Sequence, residues 1–298
     1  MANVLIIGAD GAIGQAAAEA FAARGDVVVG TTRRRQSPGA GSRIQLDLAA
    51  DDLENARLPP VDVAIICAAI SRFADCREQP ELARRVDVTA PQILGRRLTA
   101  AGCRVVLLST SAVLDGLTPH AKAAAVPAPS SAYGRLKAEA ETAILTLGAG
   151  AAVLRLTKVV TPEMALVRGW IAALGTGQPV NAFTDLTLAP LALADVVSAL
   201  QAVADDRAGV GLYQASGAAD ITYFELARHL ATRLGAAPGL VRPARAADVI
   251  PSGEVMRYTS LDTKRLTYLA GWAAPQPFDL IDRIFAPVLP ATRARAEN

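Results

Sequence analysis

The sequence predicts an α/β fold in which a doubly wound parallel sheet is followed by a smaller C-terminal lobe. Short apolar runs rich in β-branched residues alternate with longer alanine-rich segments through the first half of the 298 residues. These runs are apolar on both faces, as expected for a parallel sheet that helices cover on both sides. Hydrophobic residues make up 52% of the chain and charged residues 19%, which predicts a packed core. The length suffices for one large domain and a smaller one.

Each predicted element follows from its local pattern. Short apolar runs predict strands, and alanine-rich segments that end at a glycine predict helices. The strands are expected at 3–8, 26–32, 43–48, 61–69, 103–110 and 151–157, and the helices at 12–25, 80–102 and 131–148. After about residue 158 the pattern becomes irregular, with helices expected at 192–205 and 222–235. We therefore expect residues 1–158 to form the first domain and residues 159–298 mainly a second lobe, some of whose segments return to the sheet.

The overall charge and the cysteines exclude several classes of function. The net charge of +2 is too small to predict a nucleic-acid or membrane partner. Cys67, Cys76 and Cys103 form no CxxC pair, and with only two histidines the chain predicts no metal site. We expect reduced thiols, as in a cytoplasmic protein, because the N-terminal apolar run is too short for a signal peptide or a membrane span. The oligomeric state is left open, with a homodimer as one option.

The glycine-rich stretch "GADGAIG" is typical of a loop that binds a dinucleotide. Gly8, Gly11 and Gly14 have GxxGxxG spacing, directly after an apolar strand and at the start of a helix. Glycine permits a tight turn and a close approach to the pyrophosphate, which then meets free N–H groups at the helix N-terminus. The alternative is a glycine-rich turn without a ligand. Within a Rossmann-like domain, the predicted contacts are Gly8, Ala9, Gly11, Ala12, Ile13 and Gly14.

The residues after the second strand predict which dinucleotide binds. Proteins that prefer NAD usually carry an acid there for the ribose 2′-hydroxyl. Here Thr32 is followed by Arg33, Arg34 and Arg35 with no acid, and Thr32 and an arginine, Arg33 or Arg34, can bind a 2′-phosphate through charge-assisted hydrogen bonds. We predict NADP(H) in preference to NAD(H), with NAD(H) as the alternative cofactor and a solvated basic loop as the alternative interpretation.

Further cofactor contacts are expected at the ends of the third and fourth strands. Asp47, in "QLDL", could accept a hydrogen bond from the adenine amino group or could cap the start of a loop. Leu48 beside it, and Ala68 and Ala69 at the end of the fourth strand, complete the predicted cofactor set. Ligands of open parallel sheets bind at this edge.

Three side chains could carry chemistry at the same edge. Thr110 lies in "STS" at a strand end, and Tyr133 and Lys137 lie four residues apart on one face of the following helix. The unperturbed pKa of tyrosine is about 10, and a nearby ammonium is expected to lower it. Thr110 could hold a substrate carbonyl against Tyr133, which protonates the alkoxide as hydride arrives from a nicotinamide whose ribose Lys137 could contact. Glu139 and Glu141 are expected to be solvent-facing charges of this helix.

The combination of glycine loop, Ser/Thr strand end and YxxxK resembles the short-chain dehydrogenase/reductase superfamily, in particular its extended branch of the NAD-dependent epimerase/dehydratase type. Within that branch, "STSAVLDG" is similar to the "STDYVFDG" stretch of dTDP-4-dehydrorhamnose reductases, and "YGRLKAEAE" to their "YGKTKLAGE". The resemblance implies that Thr110, Tyr133 and Lys137 are the catalytic residues. It continues through "CAAISRFADCREQPELARRVDVTAP" and "GLYQASGAADITYFELARHLA" and so covers most of the chain.

Several residues depart from the pattern of that family. Asp87 stands where the family usually has an asparagine that shapes the helix beside the active site. Ser111 and Ala112 replace an Asp-Tyr pair, and Leu114 replaces an aromatic residue. Aromatic residues make up only 4% of the chain, which leaves few for stacking on a nucleotide base. These departures bear on the substrate and leave the three catalytic residues intact.

Five positions are expected to contact the substrate. Arg155 and Lys158, near the end of a predicted strand, could bind a pyrophosphate or a carboxylate, or could be surface charges. Arg257 lies where the resemblance implies a basic residue for the substrate phosphate. Ser71 and Ser111 complete this set.

We expect an NADP(H)-dependent reductase that transfers a hydride to the keto group of a sugar or nucleotide-sugar, with Tyr133 as proton donor. A sugar-nucleotide epimerase that keeps its cofactor bound is an alternative. Dehydration is disfavoured, because dehydratases of this branch usually have an Asp-Glu pair after the position of Thr110 and this chain has none. A third hypothesis is a non-catalytic NADP-binding subunit, since a regulatory subunit of methionine adenosyltransferase shares the fold.

Overall fold

Strands and helices alternate through the first half of the chain, in a computed structural model that describes residues 1–34 and 43–289. The strands are β1 (Asn3–Ile7), β2 (Val27–Thr32), β3 (Arg43–Gln45), β4 (Val63–Ile66), β5 (Arg104–Thr110), β6 (Ala151–Leu156), β7 (Val180–Phe183), β8 (Thr187–Leu188), β9 (Gly211–Ala215), β10 (Ile221–Thr222) and β11 (Val241–Ala244). The helices are α1 (Ala12–Ala23), α2 (Phe73–Glu78), α3 (Pro80–Arg84), α4 (Ala90–Ala100), α5 (Ala132–Leu145), α6 (Ala165–Gly175), α7 (Leu193–Asp205), α8 (Tyr223–Leu234), α9 (Lys264–Ala270) and α10 (Pro277–Phe285). None of the described helices combines the length and the apolar character that a membrane span requires.

Seven of the described strands form one parallel sheet. Their order is β3-β2-β1-β4-β5-β6-β9, and every neighbouring pair is parallel. β2 and β3 lie on one side of β1 and the other strands on its opposite side, so the topological switch point lies between β1 and β4. This arrangement confirms the predicted doubly wound fold. β9 comes from the second half of the chain and pairs with β6.

Two apolar layers cover the sheet, one on each face. On one face, Ile6 of β1 and Phe21 of α1 are fully buried together, with α7 beside them. On the other face, Leu5 is buried with Leu94 of α4 and Ile144 of α5. Successive residues of a strand point to opposite faces, so both faces of each central strand must be apolar. This requirement explains the continuous apolar runs of the sequence.

The second half of the chain builds an apolar cluster of its own. β7 pairs with β11 in parallel, and β8 pairs with β10 in antiparallel orientation. Trp170 of α6, Leu226 of α8 and Phe285 of α10 are buried in this cluster. α7 instead packs on the sheet beside α1, so the chain enters the lobe, returns to the sheet and enters the lobe again.

The long helix expected before β5 is divided in the structure. A separate helix that the sequence did not predict, α2, precedes it, and α3 and α4 flank a wider π-turn at Arg85–Thr89. The N–H of Ala90 donates to the carbonyl of Arg85, five residues back. Pro91 has no N–H, and a proline ring clashes with the carbonyl four residues back, here that of Asp87. The wider turn accommodates this proline.

Candidate active site

The glycine loop lies at the topological switch point, against the end of β4. Gly8 has a φ of +93°, and a Cβ there would lie 2.7 Å from the backbone nitrogen of Ala68. A Cβ at Gly14 would lie 2.2 Å from the carbonyl oxygen of Gly8, so glycine is required where α1 begins beside the loop. α1 starts directly after Gly11, and the first N–H groups of any helix lack partners within the helix. This cradle fits the pyrophosphate of a dinucleotide.

At the end of β2, the predicted cofactor contact Thr32 meets two polar residues that the sequence analysis did not single out, Asp10 and Arg43. The hydroxyl of Thr32 donates to Oδ2 of Asp10 at 2.6 Å, and Oδ1 of Asp10 accepts from Nη1 of Arg43 at 2.5 Å. An acid therefore does reach the end of β2, from the glycine loop, and a cation balances it. Arg33 and Arg34, which follow Thr32, are exposed, and Arg35 lies outside the described residues.

Asp47 closes the loop that follows β3. Its Oδ1 accepts from the N–H of Ala49 at 2.9 Å, and its own N–H donates to Asp51 at 2.7 Å. This is the loop-start arrangement, and the contact with adenine stays a prediction. Leu48 is buried next to it, and Ala69 is half-buried just after β4.

A close contact between a helix and a turn brings Thr110 and Tyr133 together. Ser131 caps α5 by accepting from the N–H of Gly134 at 3.0 Å. A Cβ at Gly134 would lie 2.1 Å from the carbonyl oxygen of Ala112, so glycine lets α5 lie against the turn after Thr110. The hydroxyl oxygen of Thr110 accepts from the N–H of Ala112 at 3.2 Å. Thr110 and Tyr133 consequently line the same cavity.

The cavity has a volume of about 550 Å³ and opens between the carboxyl ends of the strands and the second lobe. The ring of Phe73 packs on Tyr133, with the ring centroids 5.6 Å apart. The cavity is also lined by Ile13, Ser71, Ser109, Ser111, Ala112, Leu156, Thr157 and Lys158 from the first domain and by Val159, Leu186, Thr187, Tyr223, Val249, Ile250, Pro251, Glu254, Met256 and Thr259 from the rest of the chain. The lining is mostly apolar, with hydroxyl groups around Thr110. Within the described residues, no group of three or more His, Cys, Asp or Glu side chains is placed to hold a metal ion.

Of the two basic residues Lys158 and Arg257, both predicted to contact the substrate, only Lys158 lines this cavity. Lys158 lines it and is exposed to solvent there, and partial desolvation by the surrounding walls lowers the pKa of its ammonium. Arg257 lies outside the lining and is exposed, with its guanidinium 5.3 Å from the ring centroid of Tyr258. Lys158 is therefore the better placed of the two to meet an anionic group in the cavity.

Arg155 does not face the cavity, so its predicted contact with a substrate is wrong. Its side chain is 1% exposed, and its guanidinium donates to both carboxylate oxygens of Glu141, at 2.9 and 2.6 Å. Glu141 is 2% exposed and is not the solvent-facing charge that the sequence predicted. Glu139, in contrast, is exposed and pairs with Arg84. The buried pair joins β6 to the helix that carries Tyr133.

Burial determines the pKa of both Tyr133 and Lys137. It raises the pKa of Tyr133, and the negative charge of Asp87 raises it further. The pKa of Tyr133 therefore lies above its ordinary value and not below it, as the sequence predicted, and a stabilising effect of Lys137 on the phenolate stays a prediction. Burial lowers the pKa of Lys137, and the carboxylates of Asp87 and Glu141 oppose that change. A tyrosine held as the protonated phenol is suited to donate a proton.

The lobe contacts the first domain across the mouth of the cavity. Glu254, which lines the cavity, forms an ion pair with Arg77 of α2. The hydroxyl of Ser130 donates to the carbonyl of Gly253 at 2.7 Å. These contacts link the loop before α5 and the helix α2 to one segment of the lobe.

We expect Glu254→Gln and Arg77→Gln each to raise KM for a carbonyl substrate by at most about fivefold, because an ion pair with one exposed partner contributes about 0–1 kcal/mol. The value of kcat should change less than KM, since neither residue lies at the reacting oxygen. Steady-state kinetics of both single variants and the double variant measure the coupling. If the free-energy changes of the two single variants simply added in the double variant, Glu254 and Arg77 would not interact, which would contradict the ion pair.

The fold and the cavity together define a Rossmann-like α/β protein with a glycine-rich loop and a cavity at the carboxyl ends of its parallel strands. The chain belongs to the family described as RmlD substrate binding domain, which matches residues 1–281. It is 31% identical over 254 residues to the dTDP-4-dehydrorhamnose reductase of Mycobacterium tuberculosis (strain CDC 1551 / Oshkosh), covering 78% of this chain and 82% of that protein. It is 34% identical over 153 residues to methionine adenosyltransferase 2 subunit beta of Xenopus tropicalis, covering 51% of this chain and 46% of that protein. The resemblance seen in the sequence is confirmed.

Solved structures share the same fold. MoeE5 in complex with UDP-glucose and NAD has a TM-score of 0.78 at 25% identity, covering 94% of this chain and 99% of that chain. The dTDP-4-dehydrorhamnose reductase of Bacillus anthracis str. Ames in complex with NADP has a TM-score of 0.75 at 18% identity, covering 96% and 98%. At 18% identity, the similarity to the Bacillus anthracis protein concerns the fold alone.

Proposed function

We propose that this protein is an oxidoreductase that uses a nicotinamide cofactor to reduce the keto group of a sugar or nucleotide-sugar, with Tyr133 as proton donor. One observation carries the proposal: Thr110 and Tyr133 line a single cavity beside the glycine loop, and Lys137 lies one helical turn after Tyr133. A cofactor bound at the switch point would extend into that cavity.

Each residue has a defined task in this proposal. A bound nicotinamide cofactor supplies the hydride. The glycine loop and the N-terminus of α1 bind its pyrophosphate. Because the Thr110 oxygen already accepts from Ala112, its own proton is directed to another acceptor, the carbonyl oxygen of the substrate. Tyr133 donates its proton to that oxygen as negative charge develops, and the ammonium of Lys137 stabilises the phenolate left behind.

The relatives support this assignment of substrate and cofactor. The name of the mycobacterial relative is that of a sugar-nucleotide reductase, and the two solved structures carry NAD or NADP. We propose that residues 1–158 bind the cofactor and that residues 159–298 mainly bind the substrate, with β9 as a segment that returns to the sheet. The free thiols of Cys67, Cys76 and Cys103 support a cytoplasmic protein. A homodimer stays a proposal that sedimentation analysis would test.

We propose NADP(H) as the preferred cofactor, with Arg34 as a contact of the 2′-phosphate. Arg34→Ala is expected to lower kcat/KM for NADPH by about tenfold or more and to leave kcat/KM for NADH nearly unchanged, because a hydrogen bond to a charged group contributes about 1.5–3 kcal/mol. Arg242→Ala, at an exposed position of β11, is the matched control. A wild-type preference for NADH would contradict the assignment and would point to Asp10 as the acid that binds the ribose.

A binding subunit without catalysis is the second candidate, since the relative from Xenopus tropicalis, named as a subunit of methionine adenosyltransferase 2, matches over 51% of the chain. NADPH oxidation by the purified protein, measured with a panel of keto-sugars and sugar nucleotides, separates the candidates. Stoichiometric oxidation with formation of an alcohol supports the reductase. Tight cofactor binding without turnover of any carbonyl compound supports the subunit, and isomerisation without net oxidation supports an epimerase.

A further inference from the structure

A buried carboxylate beside the proposed catalytic residues has no task in the mechanism above. Asp87 lies in the π-turn at Arg85–Thr89 and is 0% exposed. Its Oδ1 accepts from the N–H of Ile70 at 2.7 Å. Its Oδ2 is buried and has no hydrogen-bond partner among the described residues. A buried carboxylate is costly unless a nearby positive charge compensates it.

The compensating charge is the ammonium of Lys137. Lys137 is 2% exposed and lies on α5, the helix that packs on the π-turn carrying Asp87. Asp87 and Lys137 each shift the pKa of the other toward the charged form. Glu141, the second carboxylate near Lys137, already binds Arg155 through both of its oxygens. Asp87 is therefore the carboxylate that is left to balance Lys137.

The other titratable groups that face Asp87 are weak acids, which carry no positive charge that could compensate the carboxylate. Tyr133 of α5 and Cys76 of α2 face it, and the charge of Asp87 raises the pKa of both. The thiol of Cys76 donates to the carbonyl of Ile70 at 3.1 Å, so Cys76 and Asp87 hold both polar atoms of the Ile70 backbone. Cys67, at the end of β4, remains a neutral thiol because burial raises its pKa to about 12.

We propose that Asp87 is a positioning residue whose negative charge keeps Lys137 as an ammonium and Tyr133 as a phenol, and whose Oδ1 fixes Ile70 beside the cavity. Ser71, the next residue, lines that cavity. An asparagine could keep the hydrogen bond to Ile70 but would carry no charge. The negative charge of Asp87 therefore distinguishes this chain from proteins that have the usual asparagine at this position. The inference rests on the proposed function only where turnover is measured.

The titration of Asp87 makes the stability of the fold depend on pH, and this dependence gives the first test. Burial raises the pKa of Asp87 from 3.8 to about 6. A carboxyl with a raised pKa contributes stability that is fully present below its unfolded pKa and is lost as pH rises through the folded value, here between about 4 and about 6. Asp87→Asn should therefore lack the part of the fall in stability between about pH 4 and about pH 6 that Asp87 contributes in the wild type. The same fall in both proteins would mean that Asp87 does not titrate as a buried carboxyl group and would overturn the proposal.

The chain has few lysines, so NMR of protein labelled with isotope-enriched lysine can follow each ammonium: Lys122, Lys137, Lys158 and Lys264. Asp87→Asn is expected to move the titration of Lys137 to lower pH and to leave Lys264, whose side chain is 91% exposed, unchanged. In the wild type, the Lys137 signal should also respond to a group that titrates at a pH of about 6, which keeps the test independent of the variant. The proposal would be overturned if Lys137 titrated identically in the wild type and in Asp87→Asn, and if its signal in the wild type did not respond to a group that titrates at a pH of about 6.

The pH profile of kcat/KM gives the kinetic test. Asp87→Asn should move the alkaline limb to lower pH, because both Lys137 and Tyr133 then lose their protons more easily. Asp62→Asn is the matched control, since Asp62 also accepts a backbone N–H, that of Asn3 at 2.8 Å, but at the opposite end of the sheet. A uniform loss of activity at every pH would overturn the electrostatic role. A shifted Lys137 titration without any turnover would instead refute the proposed function alone.

Discussion

Tyr133→Phe is expected to lower kcat by about 100- to 10,000-fold, the usual contribution of a positioned general acid. The phenol is the group proposed to protonate the alkoxide, and burial keeps it protonated. Phenylalanine preserves the ring that packs on Phe73, so the cavity should keep its shape. Dissociation constants for the cofactor should stay within a few-fold of the wild type. Single-turnover kinetics together with cofactor titration measure the two quantities separately.

Tyr223→Phe is the matched comparison, because Tyr223 lines the same cavity but lies on α8 of the lobe. We expect it to change kcat by less than about tenfold, since its hydroxyl is not proposed to transfer a proton. Equal losses of kcat in the two variants would contradict a specific role for Tyr133. Full activity of Tyr133→Phe would contradict the mechanism.

Glu141→Gln is expected to lower the free energy of unfolding by about 3–5 kcal/mol, the usual cost of removing one partner of a buried ion pair. Arg155 would keep its guanidinium in the core, 1% exposed, and would lose both hydrogen bonds to a charged acceptor. Denaturant unfolding at neutral pH measures the loss.

Glu139→Gln is the matched control on the same helix. Glu139 is 47% exposed, and its pair with Arg84 lies on the surface. Exposed pairs contribute about 0–1 kcal/mol, so this variant should unfold close to the wild type. A similar loss in both variants would mean that the burial of the Arg155–Glu141 pair has little weight in stability.

The helix that carries Tyr133 illustrates how far the sequence could be interpreted. The four-residue spacing correctly put Tyr133 and Lys137 on one face of a helix. The same spacing also places Glu141 on that face, and the face is the buried one. Extending the periodicity by one more turn would have revealed Glu141 as a buried carboxylate that needs a cation. Its partner, Arg155, was hidden because a strand buried on both faces gives no alternation to show where one charged residue points.

Features that depend on contacts between distant segments could not be predicted in this way. Asp10 and Arg43 meet because β3 pairs with β2 beside the glycine loop, and nothing in either local stretch indicates the other. The π-turn was partly visible, since Pro91 in a helical pattern signals a disturbed helix, but its width depends on packing. The parallel, doubly wound class of the sheet, in contrast, was predictable from continuous apolar runs and the glycine loop, which are local signals.

The central claim is that hydride passes from a nicotinamide to a substrate carbon in the cavity that Thr110 and Tyr133 line. Incubation with NADPH deuterated at the transferable position, followed by mass spectrometry of the products from the keto-sugar panel, tests it most directly. We expect one deuteron on the former carbonyl carbon of an alcohol product, with formation strongly reduced in Tyr133→Phe. Tight binding of NADPH with no deuterium in any product would contradict hydride transfer in this cavity.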